Sequence, residues 1–492
     1  MRKLKEIVEY VREYVIETRG YLDGNITGIA TDSRKVKEGN IFFALPGTRD
    51  DGRRYIGDAI SKGARAVFFE GEVDNFERDV ALIRVKEIFD VLSKVSLYFY
   101  NFPSKHLNIV GVTGTNGKTT TTSLLYHYWK GKGLKSGLIG TIDYRIDEES
   151  YPSNFTTPQP QELQEILSKM VNKGVKFLAM EVSSHALSLK RIDGVSLKAV
   201  VFTNLTQDHL DFHKTMEDYF QAKLKIFDHL EDEGFAVINR DNEWTKRINL
   251  ADKRVLWASL EEGDIYLKKY ENTNSGMILE IATPLGDTVI DTKLRGKFNI
   301  YNILFAVGVL IGLGEPLEDI SKILSTFKGV KGRLEFIREG QNFNVIVDYA
   351  HTPDGLYNVL QTIKEFTKGR VIVVFGCGGD RDPTKRDKMG EISAKLADVV
   401  IVTSDNPRTE DPMKIIREIE KGIKRVGRLD YFVIENREEA IKKAIEIAKE
   451  DDSVLIAGKG HEDYQIIGTI KIPFSDQEIA RKYILERLNN EA

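Results

Sequence analysis

Seven consecutive residues, Gly114-Thr115-Asn116-Gly117-Lys118-Thr119-Thr120, have the types needed to hold a chain of phosphates. Glycines let backbone N–H groups close around phosphate oxygens, Lys118 brings positive charge to the terminal phosphates, and the Thr119 hydroxyl can ligate magnesium. The stretch lies between the strand-like NIVGVTG and the helical pattern TSLLYHYWKGKG, so a helix N-terminus would add its dipole. The full phosphate-loop pattern is not met, because Val112 stands at its first glycine; the shorter G-T-N-G-K-T form remains. Glycines alone can make a mere turn, but lysine and paired threonines in this setting point to nucleotide binding.

Other positions could complete such a site. Glu181 ends the apolar run KFLAM, and a strand-end carboxylate aimed at a phosphate loop is a hard oxygen donor for Mg²⁺; it also reads as a solvated strand-end glutamate. His209 lies among Asp208, Asp211 and His213, an arrangement that fits a metal site, a hydrogen-bonded turn or a helix cap. Lys223, in YFQAKLKIF, reads by composition as a solvated helix-face residue. Asp405-Asn406-Pro407-Arg408 follows the strand-like ADVVIVTS; proline stiffens the loop and arginine offers a bidentate fork for a carboxylate, although such tetrapeptides also occur in ordinary loops.

These residues need a frame. A chain of 492 residues exceeds one hydrophobic core, and three α/β domains are expected over 1–104, 105–333 and 334–492. The first alternates short strands with a helix over YIGDAISKGA, behind an amphipathic helix spanning MRKLKEIVEYVREYVIE. The second alternates apolar strands and helices, which predicts a mainly parallel sheet, with a small antiparallel addition over 253–295. The third carries four apolar strands that each run into a polar loop, and open parallel sheets bind ligands beyond the carboxyl ends of their strands. A net charge of −4 supplies no global field for nucleic acid or anionic lipid. One cysteine, Cys377, excludes an intramolecular disulfide and suits a reducing compartment, and no apolar run reaches a membrane-spanning length, so a soluble cytoplasmic protein is expected.

The chain resembles the Mur ligase family, in particular the members that add the third residue of the peptidoglycan peptide. Besides GTNGKTT, the likeness rests on EVSSHAL at 181–187, NLTQDHLDFH at 204–213, YFQAKLKIF at 219–227, FNIYN at 298–302, GRLE at 332–335 and DYAHTPD at 348–354. It implies a UDP-binding N-terminal domain, a central P-loop ATPase-type domain and a Rossmann-like C-terminal domain. It further implies ATP and Mg²⁺ as cofactors, with Glu181, His209 and a carbamylated Lys223 joining Lys118 and Thr119 around metal and phosphates. Asn299 and Asn302 would meet adenine, Arg333 the phosphates and Asp348 the ribose. Ser33, Gly47, Thr48, Arg49, Thr156, Thr157, Ser183 and Arg191 match positions that hold the UDP-muramoyl-peptide, whereas Leu189 stands where the family commonly has glutamine. The motif at Asp405, Asn406, Pro407 and Arg408, with Arg381, Gly458 and Glu462, matches members that take meso-diaminopimelate.

The activity so implied is ATP-dependent addition of meso-diaminopimelate to UDP-N-acetylmuramoyl-L-alanyl-D-glutamate through an acyl phosphate, by a monomer, in peptidoglycan precursor synthesis. A lysine-adding relative and a folylpolyglutamate synthetase-like ligase are the alternatives. The DNPR loop speaks against the first, and the UDP-type N-terminal stretch against the second. A P-loop switch or transport ATPase would require a guanine-reading N-K-x-D motif or partner elements; the only Asn-Lys pair, Asn172-Lys173, continues Gly-Val. Residues 330–334 are the expected pivot for domain closure.

Overall fold

The computed structural model describes residues 1–47, 50–73, 80–273 and 275–491. Two compact units emerge, one of residues 1–111, 132–200 and 222–234, the other of 112–131, 201–221 and 235–492.

In the first unit a five-stranded sheet runs in the order Val15–Arg19, Ala81–Val85, Ala66–Phe69, Asn40–Ala44, Gly28–Ala30. Only its outermost pair, Val15–Arg19 on Ala81–Val85, is antiparallel. Strands NIFFA and AVFF are buried at every position and, Asn40 apart, apolar, because both sheet faces are covered. The amphipathic helix expected at the N-terminus is much shorter: it spans Leu4–Tyr10, and Val15–Arg19 is instead a sheet strand. Tyr14, at the end of the 3-10 turn Arg12–Tyr14, and Val15, at the start of the strand, pack on the same core as the helix, and the edge of the sheet takes up the segment. The same unit contains Ser136–Ile139, flanked by parallel Phe177–Glu181 and by the antiparallel hairpin Asp143–Ile146 and Glu149–Pro152. Helix Pro160–Asn172 buries Leu163, Ile166, Leu167 and Met170, the i, i+3, i+4, i+7 stripe of an amphipathic helix.

In the second unit, helix Lys118–Gly131 packs on helix Lys297–Gly312, whose residues from Asn302 to Ile311 are all buried. A helix apolar on every side belongs in an interior. Strands 235–239, Arg254–Ser259, Ile265–Asn272, Met277–Thr283 and Gly286–Thr292 follow in order. The antiparallel addition expected over 253–295 begins later than its first strand, since Arg254–Ser259 pairs in parallel on both sides and only the last three strands form meanders. The C-terminal sheet has the order Glu335–Ile337, Asn344–Asp348, Ser453–Ala457, Val371–Phe375, Val399–Val402, Phe432–Val433. All its pairings are parallel except the first. Cys377, just past one of these strands, is buried, and burial pushes its thiol up to about 12, as suits an unreactive filler.

Candidate nucleotide and substrate sites

Strand Asn108–Thr113 delivers the chain into the phosphate loop, and Lys118 opens the helix beyond it. Gly114 and Gly117 have φ of 139° and 90°, and each abuts its neighbours so closely that a Cβ would strike Thr203 Oγ1 or Asn302 Oδ1. The loop is clamped from outside: Asn116 N donates to Asn204 Oδ1 at 3.0 Å, Thr203 Oγ1 donates to Asn116 O at 2.6 Å, and Asn116 Nδ2 donates to Asp354 Oδ2 at 2.9 Å. Lys118 Nζ donates to Gly114 O and Thr115 O at 2.8 and 2.9 Å, so its charge is held over the loop. Thr203, Asn204 and Asp354 are not among the residues singled out from sequence; Asn204 and Asp354 lie inside recognised motifs and Thr203 directly before one, but their partners are remote in the chain.

Around this loop gather several expected residues. Asn302 Nδ2 donates to Asn299 Oδ1 at 2.9 Å, Asn299 Nδ2 donates to Arg295 O, and both asparagines are buried. Arg333 Nη2 donates to Thr119 Oγ1 at 3.2 Å while its guanidinium lies 4.4 Å from the Tyr349 ring centroid. Asp348 accepts from Leu334 N at 2.6 Å and from Ala350 N at 2.7 Å, tying the 330–334 segment to the end of its strand. Burial raises the Asp348 carboxyl against the opposing pull of Arg333.

His209 adopts a left-handed conformation, φ 55°, at the start of the short helix Leu210–His213, and its Nε2 lies 3.3 Å from Asp208 Oδ2. His351 and Lys385 reach the same carboxylate at 3.8 and 4.0 Å. Burial pushes Asp208 up, but the cationic neighbours outweigh it and hold the group well below the usual carboxylate range. The turn is hydrogen-bonded, with His209 N donating to Asp208 Oδ1 at 2.9 Å, and the His209 side chain does not cap the helix.

Gly332 shows how tightly the 330–334 segment is fitted. It has φ of 69°, and an added Cβ would overlap the backbone of Gly460 and His461. Gly332→Ala is therefore expected to displace Arg333 and to lower kcat/KM for ATP by up to about 10²-fold, the scale of a 1 Å misplacement. Steady-state kinetics with unchanged circular dichroism would check this; wild-type kinetics would show that the segment tolerates the shift.

Three loops of the C-terminal sheet converge at the carboxyl ends of Val371–Phe375, Val399–Val402 and Ser453–Ala457. Arg408, half-buried with φ of 52°, donates from Nη1 to Gly379 O at 2.7 Å, and Gly379 meets Pro407 too closely to carry a Cβ. Burial disfavours the Arg408 charge, with nearby Arg381 adding to the effect and Asp405 and Glu462 opposing it. Asn406 Nδ2 donates to Glu462 Oε2 at 3.0 Å, and Gly458, φ 116°, leaves room for Asp405 Oδ2, which a Cβ would approach to 2.8 Å. Arg381 is exposed and donates to Asp380 O.

In the first unit, Glu181 is 1% exposed, and its two oxygens accept from Thr141 N at 2.9 Å and Thr141 Oγ1 at 3.0 Å. The solvated strand-end alternative is thereby overturned. Thr157 Oγ1 donates to Glu181 O, Ser183 N donates to Thr157 Oγ1, and Arg191 Nη1 donates to Thr157 O at 3.0 Å. Thr156 reaches Thr141 through their hydroxyls at 3.0 Å. Thr156, Thr157, Ser183 and Arg191 therefore form one cluster with Glu181, whereas Leu189, 45% exposed, takes no part in these contacts. Ser183 Oγ also caps helix Ser184–Ser188 by accepting from Ala186 N. Ser33 is buried beside Lys62, which donates to its carbonyl, and Gly47 N donates to Asp50 O. Thr48 and Arg49 lie outside the described residues. Lys223, 1% exposed, is buried rather than on a solvated face, a correction to the composition-based reading.

Among the described residues, no three His, Cys, Asp or Glu side chains are gathered as a metal site. Magnesium is ordinarily held by one or two protein oxygens together with substrate phosphates and water, and a hydroxyl in the phosphate loop, such as that of Thr119, is an oxygen donor of the kind it takes.

The Mur ligase middle domain matches residues 112–310, the Mur ligase glutamate ligase domain 332–460, and the catalytic domain of the Mur ligase family 25–100. The UDP-N-acetylmuramoyl-L-alanyl-D-glutamate–2,6-diaminopimelate ligase of Geobacillus kaustophilus (strain HTA426) is 43% identical over 99% of this chain and 100% of its own length. The chain belongs to the Mur ligase family. The corresponding ligase of Gloeobacter violaceus (strain ATCC 29082 / PCC 7421) is 45% identical over 96% of each chain. A solved structure of a ligase of the same name is 32% identical, with a TM-score of 0.67 over 99% of both chains. MurF ligase from Thermotoga maritima in complex with ADP, 21% identical with a TM-score of 0.68 over 94% of this chain and 98% of its own, shares the fold. As a member of this family the protein is an ATP-dependent ligase that forms an amide bond, and the family uses ATP with Mg²⁺. Among the described residues no helix is long and apolar enough to cross a membrane.

Proposed function

We propose that this enzyme joins meso-diaminopimelate to UDP-N-acetylmuramoyl-L-alanyl-D-glutamate, with ATP converted to ADP and phosphate, in peptidoglycan precursor synthesis. The observation that carries this reading is end-to-end identity of 43% and 45% with ligases named for that reaction. Arg408 supports it locally, because a half-buried guanidinium without a carboxylate partner is unfavourable, and diaminopimelate has one carboxylate more than lysine.

We assign the UDP-linked substrate to residues 1–104, ATP to 105–333 and the amino acid to 334–492. A carboxylate is a poor electrophile, so the terminal carboxylate of the dipeptide first attacks the γ-phosphorus of ATP, giving an acyl phosphate and ADP. Lys118 and the backbone amides of 114–119 stabilise the charge spread over the transferred group. Magnesium would neutralise phosphate charge when bound, and Thr119, Glu181, His209 and Lys223 are the residues assigned as its donors. Lys223 would serve as a carbamate, formed when its neutral amine adds to CO₂ and loses a proton; its burial supports this assignment. Asn299, Asn302, Arg333 and Asp348 position the nucleotide. Thr156, Thr157, Ser183 and Arg191 hold the muramoyl-peptide, with Ser33, Gly47, Thr48 and Arg49 on its UDP. The amine of diaminopimelate, placed by Arg381, Asp405, Asn406, Pro407, Arg408, Gly458 and Glu462, then attacks the acyl carbon, and the tetrahedral intermediate expels phosphate. We place the enzyme in the cytoplasm as a monomer.

Phosphate release with UDP-muramoyl-dipeptide and ATP is expected to favour diaminopimelate over lysine or ornithine by about 10⁴-fold in kcat/KM. Equal rates with lysine would remove the diaminopimelate assignment. Without amino acid, the enzyme and dipeptide should scramble the β,γ-bridge oxygen of ATP, and absence of scrambling under turnover conditions would argue against a reversible acyl phosphate.

A further inference from the structure

Lys459 has no exposed surface, although it sits in a loop at the mouth of a sheet. Its ammonium donates to Glu462 Oε2 at 2.9 Å and to Asn406 Oδ1 at 3.1 Å, and lies 3.7 Å from Asp405 Oδ1. It therefore crosslinks the 405–408 and 458–462 loops at the residues assigned above to amino-acid recognition. Burying an ammonium is expensive unless it is paired and hydrogen-bonded, and this one is both. A methionine of similar length would fill the volume without the charge, so packing alone does not call for lysine.

The charges of the two loops balance. Asp405 and Glu462 are acidic, Arg408 and Lys459 basic. The far end of diaminopimelate is likewise balanced, with one ammonium and one carboxylate, whereas lysine presents an ammonium alone. Lys459 occupies an oxygen of Glu462 from inside the protein, while Asp405 Oδ1 is buried with no hydrogen-bond partner. A lone ammonium thus meets carboxylates that Lys459 already partly neutralises and leaves Arg408 without a carboxylate, whereas a zwitterionic end brings Arg408 its partner.

We propose that Lys459 is a specificity-determining residue: by neutralising one acidic side chain from within, it makes the pocket prefer a zwitterionic side-chain terminus to a bare ammonium. This rests on the proposed assignment of the pocket to amino-acid binding. Without Lys459 the loops carry a net negative charge, which weakens the hold on the distal carboxylate and strengthens that on a cation. Lys459 is a positioning residue for Asn406 and Glu462, with no contact to the reacting atoms required.

The test compares the ratio of the lysine Ki to the diaminopimelate KM in full-length wild type, K459M, K459R and K459M/E462Q. Turnover of the wild type with diaminopimelate decides the underlying assignment first, independently of any variant. In K459M the ratio is expected to fall by about tenfold or more, with the KM for ATP unchanged. K459R keeps the charge and should stay nearer to wild type than K459M does; K459M/E462Q restores neutrality and should recover part of the ratio. A folded K459M that loses affinity for both amino acids equally, or keeps the wild-type ratio, overturns the proposal. If K459M does not fold, E462Q alone decides: with Lys459 left in excess the ratio should rise, and a ratio that is unchanged or lower overturns the proposal.

Discussion

Lys118→Met is expected to slow ATP-dependent phosphate release by about 10²–10³-fold, the scale of losing one preorganised charge from a transferring group. Gly114 O and Thr115 O hold the lysine ammonium at 2.8 and 2.9 Å, over the loop itself. Little reorganisation is then needed when phosphates arrive. Methionine preserves the stem and the helix start, so circular dichroism and the thermal midpoint should stay near wild type. Lys118→Arg should rescue poorly, since a planar fork cannot replace a compact ammonium between two closely spaced carbonyls. A K118M enzyme within tenfold of wild type would show that the terminal phosphates are stabilised elsewhere.

A second large effect concerns stability. Arg437 and Asp476 are fully buried, with Nε and Nη2 each donating to a carboxylate oxygen at 2.8 Å, and Nη2 also donating to Ala457 O at 2.9 Å. Arg437→Met leaves the Asp476 carboxylate buried without its partner, which costs about 3–5 kcal/mol, whereas replacing both members with apolar residues is often close to neutral. R437M should therefore lower the urea midpoint of the C-terminal transition strongly, and R437M/D476L should recover much of the loss. Ala457 precedes Gly458, so the single variant should also raise the KM for the amino acid. Equal midpoints for the single and double variants would mean that the pair is not what holds the two helix starts, Arg437 and Asp476, to this strand end.

How much of this was legible beforehand depended on distance along the chain. The phosphate loop was readable because its glycines, lysine and threonines are contiguous and the flanking strand and helix are set by local apolar patterning. The C-terminal strands were readable for the same reason, each a short apolar run ending in a polar loop. The N-terminal segment misled because its apolar spacing fits a helix, while the open edge at Ala81–Val85 offered backbone partners that local periodicity cannot reveal. Arg254–Ser259 was likewise misplaced, since parallel or antiparallel pairing depends on which neighbour arrives, not on the strand's own residues.

By itself the sequence determined the α/β class, the nucleotide loop and the identity of the charged groups near strand ends, because propensity, periodicity and turn chemistry act over a few residues. Only the tertiary structure decided the states of those groups. It put Lys223 in an interior rather than on a surface, joined Glu181 to Thr141, and placed Lys459 between Asn406 and Glu462. Burial and pairing are properties of what surrounds a side chain, and most of those surroundings come from segments tens of residues away.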